Sequence, residues 1–264
     1  MRKAPTRGTF RRLATTAHFR KPSDPIMLSR DALRSGAYLD SFRDLPTESL
    51  WSAARIEASL AATLAQRPDD SPVWVFAYGS LMWNPLIHFD ARAAATLRDW
   101  HRSFCIRLVA GRGSPDSPGR MLALEPGGSA AGVALRLAPE SMDEELRLIW
   151  IREMVAGSYL PTWAPITFED GTRAHAIVFV ADRAQPQYES DASVRTVVPL
   201  IAAARGHVGS NQDYVLDLEA ALAEAGLTDG YIEQLATEIR AFSQRSPGSP
   251  GSPHATSAAS CAAE

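Results

Sequence analysis

The residues best suited to chemistry lie in two stretches, the first of which is at positions 73–85. Residues 73–78 are apolar, β-branched or aromatic, which is the composition of a buried strand. Gly79 and Ser80 follow, and a strand that ends in such small residues can leave several backbone N–H groups pointing one way. A cluster of this kind binds a carboxylate or a developing oxyanion. A core strand followed by an ordinary loop is the alternative that the composition leaves open.

The second stretch is a predicted helix at 139–156, in which Glu153 is the residue of interest. Side chains placed at about 100° per residue form an apolar face that consists of Met142, Leu146, Ile149 and Trp150. Glu153 falls near the middle of that face. The side chains expected to point away from it are those of Arg147, Ile151 and Arg152.

The position of Glu153 predicts a raised pKa, because burial and the negative end of a helix both disfavour a carboxylate. A raised pKa suits a general base that returns its proton as an acid near neutral pH. The structural alternative is a buried ion pair with an arginine such as Arg107. The helical pattern alone does not decide between the two.

Further blocks of sequence accompany these two stretches. The first stretch reads Val-Trp-Val-Phe-Ala-Tyr-Gly-Ser-Leu-Met-Trp-Asn-Pro, with Tyr78-Gly79-Ser80-Leu81 at its centre. The other blocks lie at 102–105, 118–124, 152–159, 179–182 and 186–188. Together they resemble the ChaC-like γ-glutamylcyclotransferases, enzymes that degrade glutathione to 5-oxoproline and cysteinylglycine. The resemblance covers residues 28–242 and departs at Ala77, where the family usually has Gly; this departure concerns substrate fit more than the fold.

The resemblance implies a mechanism and a set of site residues. Glu153 is implied as the general acid and base while the γ-glutamyl amine attacks the γ-carbonyl of the same molecule. The residues implied to bind substrate are Ala77, Tyr78, Gly79, Ser80, Leu81, Met82, Tyr159 and Tyr188. Tyr159 and Tyr188 are equally compatible with core aromatics whose hydroxyls are satisfied. The implied partner is a small molecule, glutathione, and no metal or cofactor is expected.

Two other functions stay open beside a glutathione-specific lyase. One is a cyclotransferase for other γ-glutamyl compounds, which Ala77 and the loop at 111–119 would decide. The other is a non-catalytic regulatory protein on the same fold, and the intact Glu153 argues against it. The scattered histidines do not have the paired spacing of a zinc site. The glycines at 111–119 do not match dinucleotide-binding spacing, and Ser80 lacks the second glycine of a nucleophile elbow.

The overall composition is that of an ordinary soluble globular protein. The chain has 264 residues, of which 45% are hydrophobic and 22% charged, and its net charge is −3. We therefore expect no binding to nucleic acid or anionic lipid, and no apolar run approaches the ~18–20 residues of a membrane span. Cys105 and Cys261 are too different in context to predict a disulfide, which indicates a cytoplasmic protein. The sequence does not specify an oligomeric state.

The sequence predicts three regions and an α+β fold. Residues 1–27 are predicted to be a disordered basic arm, residues 28–243 a γ-glutamylcyclotransferase-like domain, and residues 244–264 a disordered Ser/Pro/Gly/Ala tail. Short strands at close spacing predict a small mixed β-barrel or curled sheet flanked by helices. The strands are predicted at 73–78, 94–100, 102–109, 121–125, 130–137, 162–168 and 174–180, with a turn at 126–128. Besides 139–156, the helices are predicted at 29–36, 46–66 with Thr47 as cap, 194–205, 211–225 and 231–243.

Overall fold

Five strands form a closed barrel at the centre of the computed structural model, which describes residues 28–40, 42 and 50–245. The predicted basic arm at 1–27 lies outside the described residues, and so does the predicted tail from 246 onward. The barrel strands are β1 (Trp74–Ala77), β2 (Ala91–Leu108), β3 (Gly119–Arg136), β4 (Tyr159–Phe168) and β5 (Arg173–Ala181). A separate two-stranded sheet consists of β6 (Arg205–Gly206) and β7 (Gly209–Ser210).

The barrel is mixed, and its strands follow the order β1-β3-β2-β4-β5. β1 closes the ring by pairing with β5 in parallel, while the other neighbouring strands are antiparallel. Buried apolar side chains such as Phe76, Leu97 and Ile177 form the core. The predicted α+β class, with a small mixed barrel flanked by helices, is confirmed.

Each of two predicted pairs of short strands is one continuous strand. The strands predicted separately at 94–100 and 102–109 both lie within β2. Those predicted separately at 121–125 and 130–137 both lie within β3, so the predicted breaks between them are wrong. A turn signal at 126–128 suggested the end of one strand in β3, whereas 94–100 and 102–109 were predicted as separate strands without such a signal. The strands are continuous because β2 and β3 supply each other with hydrogen-bond partners along their length.

Residues 126–128 form an irregularity within β3, so the predicted turn there is wrong. The register of β3 against β2 shifts between Arg98 and Trp100. Asp99 has a φ of 65°, and Gly127 and Gly128 have φ values of 107° and 70°. The two glycines accommodate this left-handed backbone, so the strand bends and then continues.

Seven helices flank the barrel within the described residues. They are α1 (Arg30–Ser35), α2 (Ala37–Asp40), α3 (Ala53–Leu64), α4 (Met142–Met154), α5 (Val194–Ala203), α6 (Asn211–Glu224) and α7 (Gly230–Arg245). α1 begins and ends as predicted, with the Ser29 hydroxyl accepting from the N–H of Ala32 and Gly36 at a φ of 81°. In this part of the chain, no helix combines the length and the apolar character that a bilayer crossing requires.

Several helix boundaries differ from the prediction. α4 spans Met142–Met154 rather than 139–156, and α5 ends at Ala203 rather than at 205, which lies in β6. The helix expected at 46–66 begins at Ala53, because the Ser52 hydroxyl accepts from the N–H of Arg55 and so caps the first turn. The expected cap, Thr47, lies outside the described residues. α7 continues to Arg245, past residue 243, where we had placed the end of the domain.

α4 is buried on more than the single face that we predicted. Leu148 and Glu145 are buried in addition to the apolar stripe, because α1 and α3 cover the side of α4 turned away from the barrel. Arg30 of α1 binds the Glu145 carboxylate through two hydrogen bonds of 2.6 Å. On the barrel side, Trp150 packs edge-on against Phe179 of β5, with ring centroids 5.1 Å apart. The helix that carries Glu153 is therefore fixed from both sides.

Candidate active site

A sharp bend follows β1, at the place where the sequence predicts a group of anion-binding amides. Gly79 leads into a 3₁₀ turn at Ser80–Met82, in which the N–H of Met82 donates to the Gly79 carbonyl over 2.8 Å. A Cβ on residue 79 would lie 2.8 Å from the hydroxyl oxygen of Tyr214 and 3.3 Å from Leu122 Cδ2. Any larger residue at position 79 would therefore force the side chains of Tyr214 and Leu122 to shift.

Glu153 lies in the last turn of α4, and its side chain is 17% exposed. Burial raises the pKa of Glu153 above its ordinary value of 4.5, and the opposing effect of the Arg152 charge is smaller. The direction of this shift is the one that the sequence predicts. A carboxylate that is largely buried but still reached by solvent can exchange a proton with a ligand.

Arg152 connects Glu153 to the bend, so our prediction that Arg152 points away from the buried face is wrong. Its side chain is only 4% exposed, and its Nε lies 3.1 Å from Glu153 Oε1. Its Nη2 donates to Ser80 Oγ over 2.7 Å, and its Nη1 donates to the Asn84 carbonyl over 2.5 Å. The prediction considered only the angle of each Cα, whereas the long arginine side chain reaches around the helix. Arg107, the partner that we had considered, is exposed in β2.

Three phenols lie close enough to Glu153 for its charge to shift their pKa values, and of these Tyr78 and Tyr159 are buried while Tyr214 is half-buried. Burial raises the pKa of Tyr78, Tyr159 and Tyr214 above the ordinary 10.0, and the negative charge of Glu153 raises each further. All three hydroxyls are therefore neutral near pH 7. The structure thus brings Glu153 together with Tyr78 and Tyr159, both of which were expected in the site.

The protons of two of these hydroxyls are already committed to carbonyls of the barrel. Tyr78 donates to the Phe179 carbonyl over 2.5 Å, and Tyr159 donates to the Leu122 carbonyl over 2.8 Å. These phenols can offer a ligand their ring surfaces and oxygen lone pairs. Each also ties the bend or the neighbouring strand to the barrel wall.

Tyr214 of α6 is a site residue that the sequence analysis missed. Its hydroxyl forms hydrogen bonds with both the backbone and the side chain of Ser80, which lowers its pKa against the larger effect of burial. The Tyr214 hydroxyl therefore stands at an amide of the predicted anion-binding group. A ligand carboxylate at the bend would share or replace this contact. No local signal marks Tyr214, because only tertiary packing brings α6 to the 3₁₀ turn.

The remaining predicted substrate-binding residues either surround the bend or lie away from Glu153. Ala77, Leu81 and Met82 are buried around the bend and shape it from behind. Tyr188 lies elsewhere, since its hydroxyl donates to Glu125 Oε1 over 2.7 Å and the Arg183 guanidinium stands 5.7 Å from its ring centroid. The structure therefore does not bring Tyr188 together with the group around Glu153.

A cavity of about 580 Å³ lies beside the Glu125 cluster and is not lined by Glu153. Its walls include Arg102, Ser103, Glu125, Asp229 and Tyr231. Burial favours a higher pKa for Glu125, but the hydrogen bonds to its carboxylate have a larger opposite effect. The pKa of Glu125 therefore lies below its ordinary value. The pKa of Glu153 is shifted in the direction that the sequence analysis expects of a general base, whereas the pKa of Glu125 is shifted in the opposite direction. Across residues 28–40, 42 and 50–245, no group of three or more His, Cys, Asp or Glu is arranged to hold a metal ion.

The barrel thus carries a largely buried carboxylate of raised pKa, Glu153, which Arg152 links to the bend that follows the first strand. The family model described as ChaC-like protein matches residues 73–242. The chain belongs to this family.

Relatives whose names state an activity match over most of their length. The glutathione-specific γ-glutamylcyclotransferase of Escherichia coli (strain K12) is 48% identical over 214 residues, which is 81% of this chain and 93% of the relative. The γ-glutamylcyclotransferase 2-3 of Arabidopsis thaliana is 30% identical over 176 residues, covering 64% of this chain and 88% of the relative. A crystal structure of a yeast γ-glutamyl cyclotransferase specific to glutathione has a TM-score of 0.60 at 21% identity. It covers 66% of this chain and 97% of the yeast chain, and it supports the fold.

Proposed function

We propose that this protein is a γ-glutamylcyclotransferase, a carbon–nitrogen lyase that cleaves glutathione to 5-oxoproline and cysteinylglycine. The observation that carries the proposal is Glu153, a largely buried carboxylate of raised pKa that Arg152 links to the bend at Ser80. The 48% identity to the Escherichia coli enzyme supports the choice of substrate. These two lines of support are independent, because one concerns geometry and the other sequence.

The reaction needs only a positioned base, because the substrate supplies its own nucleophile. Glu153 takes a proton from the α-amino group of the γ-glutamyl moiety. The freed nitrogen attacks the γ-carbonyl carbon, which forms the C–N bond of the five-membered lactam. The C–N bond to cysteine then breaks, and the proton returns from Glu153 to the departing amine. Atoms balance without water, metal or redox partner.

The bend contributes orientation and charge stabilisation. Backbone amides at 79–81 are suited to hold the α-carboxylate or the developing oxyanion, as amide clusters do elsewhere. Holding the γ-glutamyl chain folded back on itself supplies up to ~7–11 kcal/mol of the barrier reduction. The neutral ring surfaces of Tyr78 and Tyr159 exclude water from the reacting carbons. Glu153 keeps a small exposed fraction through which it equilibrates with solvent.

The test is to incubate the purified chain with glutathione and to follow 5-oxoproline and cysteinylglycine by chromatography. A panel of γ-glutamyl dipeptides and γ-glutamyl amines is compared under the same conditions. Formation of both products from glutathione supports the proposal. Turnover of other γ-glutamyl compounds without glutathione would indicate the broader cyclotransferase, and binding without turnover of any compound would indicate a regulatory protein.

We also propose that residues 28–245, up to the end of α7, form one functional domain and that the protein works in the cytoplasm. Cys105 is a buried free thiol, which suits a reducing compartment. Fractionation of the cells of origin, followed by an immunoblot, tests the compartment. Limited proteolysis tests the domain limits, and a stable fragment that ends well inside 28–245 would contradict them.

A further inference from the structure

Two buried polar atoms, one on β3 and one in the segment beside β2, have no hydrogen-bond partner in the described part of the chain. They are Nε of Arg120, whose side chain is 9% exposed, and Oε1 of Gln187. Buried donors and acceptors are almost always paired, because leaving one unpaired costs free energy. A ligand that supplies one acceptor and one donor would satisfy both atoms.

Two independent elements place Arg120 beside the bend. Alternate residues of a strand share a face, so Arg120 and Leu122 project to the same side of β3, and Leu122 Cδ2 stands 3.3 Å from the Cβ position of residue 79. On α6, the side-chain oxygen of Asn211 accepts from the N–H of Arg120 over 2.8 Å. Tyr214, which stands against Gly79, follows Asn211 by about one helical turn.

Gln187 lies on the opposite side of β2 from Arg120. Arg120 pairs with Arg107 in the β2–β3 register, and the N–H of Arg107 donates to the Gln187 carbonyl over 2.7 Å. The side-chain amide of Gln187 reaches the Ala156 carbonyl over 3.4 Å, just beyond the end of α4 that carries Glu153. The two unpaired atoms therefore belong to residues about two strand spacings apart, roughly 10 Å, on the flank of the site.

The charges around Arg120 leave room for an anionic group. Arg120 Nη2 lies 3.6 Å from Oε2 of Glu189, which is longer than a hydrogen bond, and the Glu189 side chain is 37% exposed. Glu189 can therefore turn towards solvent when a ligand carboxylate approaches the Nε edge. The acceptor of Gln187 is suited to a neutral N–H group.

We infer that Arg120 and Gln187 bind the leaving peptide of the substrate. Arg120 binds the C-terminal carboxylate of this peptide, and Oε1 of Gln187 accepts a hydrogen bond from the peptide's amide N–H. This inference rests on the proposed function and deepens it. Arg120 would then make the enzyme prefer γ-glutamyl peptides that end in a free carboxylate over γ-glutamyl amines and peptide amides. Glutathione carries both groups at the required side of the scissile bond.

The test compares glutathione with its neutral C-terminal amide as substrates of the wild type, Arg120→Gln and Arg107→Gln. A hydrogen bond to a charged group predicts that the wild type prefers the acid by about 10- to 150-fold in kcat/KM. Arg120→Gln should erase this preference. Arg107→Gln removes a neighbouring exposed arginine from the paired strand and should retain the preference.

Equal kcat/KM for the acid and the amide in the wild type would overturn the inference, even if every Arg120 variant failed to fold. A wild-type preference that persists in Arg120→Gln would overturn it as well. Arg120→Lys, which keeps the charge but loses Nε, should retain only part of the preference. A wild type that forms no 5-oxoproline from any γ-glutamyl compound would instead refute the proposed function, so the two failures are distinguishable.

Discussion

Replacement of Arg152 by methionine tests whether this side chain holds the catalytic carboxylate against the bend. The change preserves an apolar stem of similar length and removes the guanidinium. It takes away the ion pair to Glu153 at 3.1 Å and the hydrogen bonds to Ser80 Oγ and the Asn84 carbonyl at 2.7 and 2.5 Å. It leaves Glu153 without the one positive charge that lowers its pKa.

The expected loss of stability is about 3–5 kcal/mol, the typical cost of removing one partner from a buried ion pair. The Arg152 side chain is 4% exposed and the Glu153 side chain 17%, so partial solvation of Glu153 favours the lower end of that range. The separate hydrogen bonds are not added, because the three contacts share one guanidinium. The pKa of Glu153 should rise further, which moves the acidic limb of the kcat/KM profile to higher pH.

Urea denaturation gives the free energy of unfolding, and a pH series of 5-oxoproline formation gives the profile. The matched control is Arg147→Met on the same helix, because the Arg147 side chain is 63% exposed and its Nε lies 3.9 Å from Glu57 Oε1. This control should change stability by less than about 0.5 kcal/mol. A loss of unfolding free energy in Arg152→Met of no more than about 1 kcal/mol beyond the control would be too small for the breakage of a buried ion pair. This result would refute the structural role given to Arg152.

Three further predictions concern the same neighbourhood. Gly79→Ala should lower Tm, because the new methyl would lie 2.8 Å from the Tyr214 hydroxyl. Adding Tyr214→Phe to this variant should recover part of the lost Tm, and additive effects of the two substitutions on Tm would contradict the contact. Burial raises the pKa of Cys105 to about 12, so in a Cys261→Ser background a disulfide reagent should label it only after unfolding, and rapid labelling of folded protein would refute this. The raised pKa of Glu153 means that the folded state binds its proton more tightly than the unfolded state, so this group stabilises the fold most below pH 4.5 and the contribution is lost as pH rises through the folded pKa. Glu153→Gln should therefore gain stability relative to the wild type as pH rises in urea titrations, and a constant difference would contradict the shift.

The parts of the site that sequence predicted are those with a local physical cause. The apolar run before Gly79 has no reading other than a buried strand, and β1 lies where it was expected. The helical period alone placed Glu153 among apolar neighbours, and the burial effect on its pKa follows from that placement. The barrel class followed from the number and spacing of short apolar runs.

The parts that sequence did not predict depend on contacts between distant segments. Tyr214 and Arg152 reach Ser80 only because α6 and α4 pack on the 3₁₀ turn, and neither residue differs locally from a surface residue. The continuity of β2 and β3 was hidden because the Pro-Gly-Gly sequence at 126–128 has the local chemistry of a turn. Ladder bonds on both sides of the bulge outweighed that preference.

The most direct measurement of the central claim is 5-oxoproline formation from glutathione by Glu153→Gln, compared with Glu144→Gln and the wild type. Glu144 lies on the same helix with its side chain 48% exposed, so its variant controls for a lost carboxylate on α4. Loss of a general acid and base predicts a fall in kcat of about 10²–10⁴-fold for Glu153→Gln, while calorimetry still detects glutathione binding and Glu144→Gln retains wild-type turnover. Wild-type turnover by Glu153→Gln would contradict the assignment of this carboxylate as the base.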